Sequence, residues 1–269
     1  MTVWIDEPIW PAHGRHFAHL VSDTSYAELH ALARVVGLHP RSFDGDHYDV
    51  PDVRWRDAVA AGATPTSGVD LARRLNASGL RLRKRKHDRG VARLLDVPFP
   101  NGSSDVDLVA STVPVDERRV LAAMVFVRDS RGDFAAVHSV RRAEWGSPGG
   151  WREADESPVD NAVRETREET GLLLDPARVF PCGYERFTPR TDDNVFDVAK
   201  PYLQVFRTEL DAARPPLTNG DDGIHATRWV TPQEYAAHCG QLFWWPLAVE
   251  VFADLRGLVP APHARMPSA

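Results

Sequence analysis

The hydrophobic pattern changes character near residues 90–115, and each side predicts its own set of elements. On the N-terminal side, Leu29, Leu32, Ala33 and Val36 recur at three- and four-residue steps, which predicts a helix over 26–36. Asp23 or Ser25 can cap its start, and Gly37 stands in the position after its end. Residues 2–5 read as a short strand, and 51–61 and 69–77 as two further helices, closed by Gly62 and Gly79. Short β segments between these helices make a small α/β unit over residues 1–90. The Pro/Gly/Ser cluster Pro98-Phe-Pro-Asn-Gly-Ser-Ser-Asp105 predicts a linker, placed at 91–115. Beyond it, apolar runs at 120–127 and 134–140 flank a polar turn ending in Gly132, the pattern of a β-hairpin. Further strands fit 178–187, 202–208 and 226–230, and helices fit 158–170, 232–239 and 246–257. Strands and helices intermixed at this spacing predict a second, larger α/β layered domain over 116–260.

One segment of that domain carries chemistry: Gly149-Gly-Trp-Arg-Glu-Ala-Asp-Glu156-Ser-Pro-Val-Asp-Asn-Ala-Val-Arg164-Glu-Thr-Arg-Glu168-Glu169-Thr-Gly171-Leu172. Ser157 is a good N-cap, Pro158 suits the first helical position, and Gly171 suits the left-handed end, so the helix is bracketed at 158–170. Glu165, Glu168 and Glu169 then share one helix face, where like charges repel by a few tenths of a kcal/mol per pair. A divalent cation reverses the sign of that balance, and oxygen donors suit Mg²⁺ or Mn²⁺. Arg164 can tie down one carboxylate, Glu156 being the nearest before the helix. Gly149 and Gly150 let the backbone turn sharply and bring a carbonyl, that of Gly150, to the metal.

The spacing Gly-x5-Glu-x7-Arg-Glu-U-x-Glu-Glu-x-Gly-U, with U aliphatic, resembles the box of the Nudix hydrolase family, with Gly150, Glu156, Arg164, Glu165, Glu168, Glu169, Gly171 and Leu172 in register. Seven fixed identities have a chance match of roughly 10⁻⁶ across a chain of this length, which sets aside a merely acidic, solvated helix face. Trp145-Gly-Ser-Pro148 upstream also looks like the family's approach to the box, and the resemblance extends over roughly 118–257. It implies an α/β/α sandwich with a mixed sheet. It also implies hydrolysis of a nucleoside diphosphate linked to another moiety, such as a nucleotide sugar, a dinucleotide or a modified NTP. Glu168 and Glu169 are then the expected metal ligands, Glu165 a ligand or base, and Arg164 the residue that orients a glutamate. Two positions depart from the pattern. Thr166 stands where the family has an aliphatic residue, and the late loop Asn219-Gly-Asp-Asp-Gly223 offers Asp221 and Asp222 where many relatives have a glutamate. The general base is therefore either Asp222 or Glu165. For the substrate, Trp151 can stack on a base and Arg152 can meet phosphate, while Arg186, with its neighbours Tyr184 and Glu185, can face the ligand. Packing is the alternative for Trp151, and Trp244 and Trp245 read as core anchors of the last helix.

Composition narrows the setting. The 269 residues are 43% hydrophobic and 26% charged, with a net charge of −6, enough apolar content for a packed core. No apolar run outlasts 120–127, far below the roughly 20 residues that span a bilayer. Asp6, Glu7 and Pro8 near the start do not read as a secretory leader. Two cysteines, Cys182 and Cys239, make neither a disulfide framework nor a four-thiolate zinc site, so a cytoplasmic protein is expected.

The charge is uneven. Residues 1–90 carry 13 Lys/Arg against 11 Asp/Glu, and a basic cluster runs from Arg73 to Arg93. It is either a solvated helix end and linker or a contact for nucleic acid. Seven of the 11 histidines also fall in this part. His13, His16 and His19, with Asp6 and the run Phe43-Asp-Gly-Asp-His-Tyr-Asp49, read either as structural histidines or as a metal or nucleolytic site. That run is no EF-hand, because the required Gly and Glu positions hold Asp49 and Trp55. His19-Leu-x-x-Asp-Thr24, Glu28-Leu-His30 and His47-Tyr-Asp49 resemble a small family of uncharacterised bacterial and phage domains over about 2–85, which implies no activity. The rival to a hydrolase is a regulatory protein, in which a catalytically weak Nudix-like part senses a nucleotide and the basic part holds nucleic acid.

Overall fold

The computed structural model describes residues 3–100, 102–190, 196–218 and 223–258. The chain forms two compact units, residues 1–93 and 94–269.

In the first unit the elements run β1 (Val3–Ile5), β2 (Trp10–Ala12), β3 (Arg15–Ser22), α1 (Tyr26–Val36), β4 (Tyr48–Pro51), α2 (Asp52–Ala60), β5 (Thr64–Pro65) and α3 (Gly68–Ala77). The sheet order is β2-β3-β1-β5, with β4 also on β3, and only the β1–β5 pair is parallel. Strand alternation sorts β3 into two faces. Ala18 and Leu20 pack with Leu29, Leu32, Ala33 and Val36 of α1 and Ala58 of α2. Val21 packs with Leu71 and Leu75 of α3. Ser25 is the cap of α1, accepting from the Glu28 amide, and Gly37 closes it at φ +74°, the left-handed conformation that glycine adopts without penalty. Asp23 instead receives the Trp4 indole N–H at 2.7 Å.

The strand β6 (Arg89–Phe99) begins in the first unit and ends in the second, which then holds β7 (Gly102–Ala110), β8 (Val120–Arg128), β9 (Phe134–Ser139), β10 (Glu144–Gly146), β11 (Gly149–Trp151), α4 (Pro158–Thr170), β12 (Phe180–Pro189), β13 (Tyr202–Glu209), β14 (Ile224–Val230), α5 (Pro232–Cys239) and α6 (Trp245–Val251). The mixed sheet of the second unit is ordered β10-β9-β8-β13-β12-β7-β6, with β11 on β8 and β14 on β9. β8 and β13 are parallel, and the other registered pairs are antiparallel. Ala123, Val125 and Val127 of β8 turn to one face with Ala162 of α4, Leu172 and Phe206. Phe126 turns to the other, its ring 5.9 Å from Trp244 and 5.5 Å from Phe252. The result is the α/β/α sandwich with a mixed sheet that the sequence implies. Trp244 and Trp245 are buried, as expected of core anchors.

Three local expectations are corrected. The stretch read as a linker at 91–115 is mostly strand: β7 pairs with β12 from Ser104 to Ala110, and β6 lies at the sheet edge, where a proline such as the exposed Pro98 is tolerated. The Gly149-Gly150 segment is not a free turn but the strand β11, paired with Ala123 and Met124 of β8. The last helix stops at Val251, short of residue 257, because Phe252 is extended (φ −116°, ψ 113°) and sets its ring against Phe126 and Phe134. Among the described residues no helix is long and apolar enough to cross a membrane.

Candidate active site

The site is built on α4 and the strand that leads to it. Ser157 accepts from the Asp160 amide, Pro158 opens the helix, and Gly171 ends it at φ +74°. Thr166, the departure from an aliphatic residue, is buried on the inward face. It meets its hydroxyl's need by donating to the Ala162 carbonyl at 2.7 Å, so the face stays packed.

Arg164 is the hub. Its Nε donates to Glu156 Oε1 at 2.9 Å and its Nη2 to Glu156 Oε2 at 3.2 Å, a two-pronged pairing. Nη1 reaches Glu168 Oε2 at 2.8 Å and Glu165 Oε1 at 2.9 Å, and Nη2 also donates to the Trp151 carbonyl at 3.1 Å. Glu169 turns the other way and accepts from the Gly149 amide at 3.0 Å. The glutamates therefore share a helix face without closing into one carboxylate knot: Glu165 and Glu168 lean on Arg164, and Glu169 leans on the strand.

Gly150 makes this close approach possible. A Cβ there would stand 2.6 Å from the Glu165 carboxyl group, nearer than any side chain tolerates. At Gly149 a Cβ would strike the Ala123 carbonyl and come within 2.7 Å of Met124 Cα. The two glycines thus seat β11 between β8 and the acidic helix face.

Electrostatics follow from this packing. Burial raises the Glu169 carboxyl to about 7, only partly offset by the Gly149 amide, while Glu165 and Glu168 raise it further. Glu165 is raised in the same way by burial, against the pull of Arg164. Burial also works against the charge of Glu156, but the bonds from Arg164 and the Glu153 amide outweigh it and hold that carboxyl below its ordinary range. Arg164 is fixed as a cation by Glu156. A strongly paired Glu156–Arg164 unit beside two carboxyls pushed upward is an arrangement ready to gain from a further positive charge.

The expected substrate residues separate. Trp151 is 47% exposed on the sheet face opposite Gly150, with its ring 6.3 Å from Phe196. Phe196 stacks on Phe187 at 3.9 Å, and Phe99 and Phe243 complete the aromatic cluster. Sequence reasoning missed this cluster, because its members come from five distant segments and no spacing links them. The Arg152 guanidinium donates to the Glu117 carbonyl. Arg186 does not join the box: β13 and β8 lie between its strand β12 and β11, and its guanidinium pairs with the buried Asp107 at 3.1 Å. Asp221 and Asp222 lie outside the described residues. Glu185 is fully buried between Leu108 and Leu203, and neither carboxyl oxygen has a hydrogen-bond partner.

The basic cluster of the first unit is largely engaged within it. Arg73 pairs with Asp70 and Lys84 with Asp44 at 2.7 Å, Arg85 pairs with Asp88 at 2.8 Å, and Arg74 lies over the Trp4 ring. Arg89 donates to the Arg41 and Phe43 carbonyls.

Residues 118–250 match the family model described as NUDIX domain, and residues 3–78 match the model described as a protein of unknown function, DUF4031. Phosphatase NudJ of Escherichia coli K12 is 31% identical over 108 residues, which cover 39% of this chain and 64% of NudJ. The chain thus spans less than two thirds of the length of the curated relatives it matches. Among solved structures, the Bacillus subtilis pyrophosphohydrolase BsRppH is similar with a TM-score of 0.44 at 13% identity, over 62% of this chain and 98% of that one. A Caenorhabditis elegans Ap4A hydrolase gives 0.37 at 16% identity, over 51% and 98%. The NUDIX domain of Shewanella oneidensis NrtR in complex with ADP ribose gives 0.36 at 13%, over 49% and 87%.

Proposed function

Residues 118–250 are a Nudix domain, preceded by a DUF4031 domain at 3–78, and from that premise we propose that the chain hydrolyses a phosphoanhydride bond in a nucleoside diphosphate linked to another moiety, using Mg²⁺ or Mn²⁺. The observation that carries this reading is the Arg164 hub, which gathers Glu156, Glu165 and Glu168 on the face that also presents Glu169.

The donor chemistry of this face suits a hard divalent ion, although the carboxylates do not converge on one point: Glu165 and Glu168 lean on Arg164 and Glu169 on the Gly149 amide. All donors on this face are carboxylate oxygens, and the space that a Gly150 Cβ would fill is held open against Glu165. Glu168, Glu169 and the Gly150 carbonyl would hold the ion, with Glu165 either a further ligand or the base. When bound, it neutralises the diphosphate and lowers the pKa of a coordinated water. The chain's own residues do the rest. Arg164 fixes the rotamers of Glu165 and Glu168, so the carboxylates are set before substrate arrives. Glu165 is the base we assign to take the proton from the attacking water, with Asp222 as the alternative. Trp151, exposed beside Phe196, is the surface on which we place the nucleobase, and Arg152 meets a phosphate.

The test is a substrate panel with Mg²⁺, comprising ADP-ribose, NADH, dinucleoside polyphosphates and oxidised dNTPs, with products separated by anion exchange. Turnover of at least one class by the wild type, lost in Glu169→Gln, supports the reading. Equal behaviour of the two proteins on every class overturns it.

A further inference from the structure

The first unit contains a second, separate cluster of ligating side chains. His19, His47 and Asp49 present ligand atoms that all lie within 4.8 Å of one another. The backbone explains how. His19 on β3 stands directly opposite Asp49 on β4 in the antiparallel register. His47 lies just before β4, two residues ahead of Asp49, and its ring stands 5.2 Å from that of His19. Strand periodicity removes the other histidines considered from sequence. His16 is three residues from His19 and points to the opposite face, and His13 sits in the β2–β3 turn at φ +49°.

Each imidazole is also oriented from behind by a buried carboxylate. His19 Nδ1 lies 2.9 Å from Asp6 Oδ2, and Asp6 is anchored by the His19 amide at 2.5 Å and the Trp10 indole at 3.1 Å. His47 Nδ1 lies 2.6 Å from Asp46 Oδ1, and Asp46 is anchored by the Leu82 amide at 2.8 Å. Both Asp6 and Asp46 are buried. With Nδ1 committed in both rings, Nε2 is left to ligate, and that of His47 is already 3.6 Å from Asp49 Oδ1. At ligand bonds of roughly 2.0–2.2 Å, tetrahedral neighbours are about 3.4 Å apart, so this pair needs almost no movement. Paired carboxylates behind metal-binding imidazoles are the arrangement that fixes tautomer and strengthens ligation.

We propose that His19, His47 and Asp49 bind one first-row divalent transition ion such as Zn²⁺, Mn²⁺ or Fe²⁺, with Asp6 and Asp46 as positioning residues. Two imidazoles with one carboxylate favour such ions over Mg²⁺. Asp6, Asp46 and Asp49 surround the two imidazoles, and a cation held between the rings balances charge that Arg81, 3.5 Å from Asp46, meets only from one side. Three protein ligands leave coordination positions open to water or an anionic ligand, so the site is of the kind that activates a molecule more than one that only braces the fold. This site belongs to the DUF4031 domain and does not depend on the Nudix reading.

The test uses the full-length wild type, stripped with chelator and held in excess Mg²⁺ so that hard oxygen sites are filled. Co²⁺ is titrated with detection of its visible absorption, and Cu²⁺ is added separately for electron paramagnetic resonance. One equivalent of Co²⁺, with nitrogen hyperfine splitting in the Cu²⁺ spectrum, is expected. His19→Ala and His47→Ala should weaken binding at least 100-fold, Asp6→Asn by about 10–100-fold, and the exposed His16→Ala not at all. Asp49 is half-exposed, so Asp49→Asn keeps the fold and still has to lose affinity even where the histidine variants unfold. Absence of stoichiometric Co²⁺ binding, oxygen-only ligation, or affinity unchanged in Asp49→Asn would overturn the proposal and leave the trio a proton-bridged ion cluster.

Discussion

Glu185→Gln is expected to stabilise the protein at neutral pH and to do so progressively less as pH falls. Glu185 sits on β12 between Leu108 and Leu203, buried, with both oxygens unpartnered, and burial alone raises its carboxyl from 4.5 to about 8. Between those values the folded protein keeps the proton that the unfolded chain releases, so the folded state binds more protons and stability falls as pH rises. Below about pH 4.5 both states are protonated and the penalty vanishes. Each pH unit inside the window costs about 1.4 kcal/mol, so from pH 5.5 to 7.5 the wild type loses roughly 2.5 kcal/mol through this one group, allowing for the onset of ionisation near pH 8. Glutamine mimics the protonated acid and does not titrate, so its own burial cost is a constant offset. Urea unfolding at pH 5.5, 6.5 and 7.5, read by circular dichroism, gives the difference between variant and wild type, in which all other titrations cancel. That difference should grow with pH by about 2–3 kcal/mol. A pH-independent difference would refute the reasoning, because it would mean that Glu185 is ionised or solvated in the folded state.

Three further outcomes follow from the site. Arg164→Lys keeps a positive charge but cannot hold Glu156 with two prongs while reaching Glu165 and Glu168, so kcat should fall about 10- to 100-fold with the melting temperature little changed. Gly150→Ala drives a methyl into the Glu165 carboxyl; activity and Mn²⁺ affinity, followed by paramagnetic resonance, should both drop, whereas a normal Mn²⁺ titration would contradict the close approach. Trp151→Ala should raise KM by the loss of stacking, about 1–3 kcal/mol, and leave kcat nearly intact; a fall in kcat alone would remove the nucleobase from this surface.

What the sequence made legible was local. Ser157, Pro158 and Gly171 mark both ends of α4, and helix periodicity alone places Glu165, Glu168 and Glu169 on one face. The Glu156–Arg164 pair was also readable, since few cations lie near enough to meet that carboxylate. Strand pairing was not. The 98–105 cluster looks like a loop by composition, yet its Asn101-Gly102 dipeptide, a hairpin signal, was outweighed by the two prolines beside it. The meeting of His19 with Asp49 and the aromatic cluster around Trp151, whose members run from Phe99 to Phe243, depend on how distant segments pair, which no spacing rule encodes. The pairing of Arg186 was hidden for the same reason: its partner Asp107 lies 79 residues away on the adjacent strand.

The central claim is that the α4 glutamates drive phosphoanhydride hydrolysis. Its most direct measurement is ³¹P NMR of wild type and Glu168→Gln, side by side, on whichever diphosphate of the panel turns over. The account predicts Mg²⁺-dependent loss of the anhydride resonances with appearance of phosphomonoesters in the wild type, slowed at least 100-fold in the variant. Cleavage at the same rate in both proteins would contradict it.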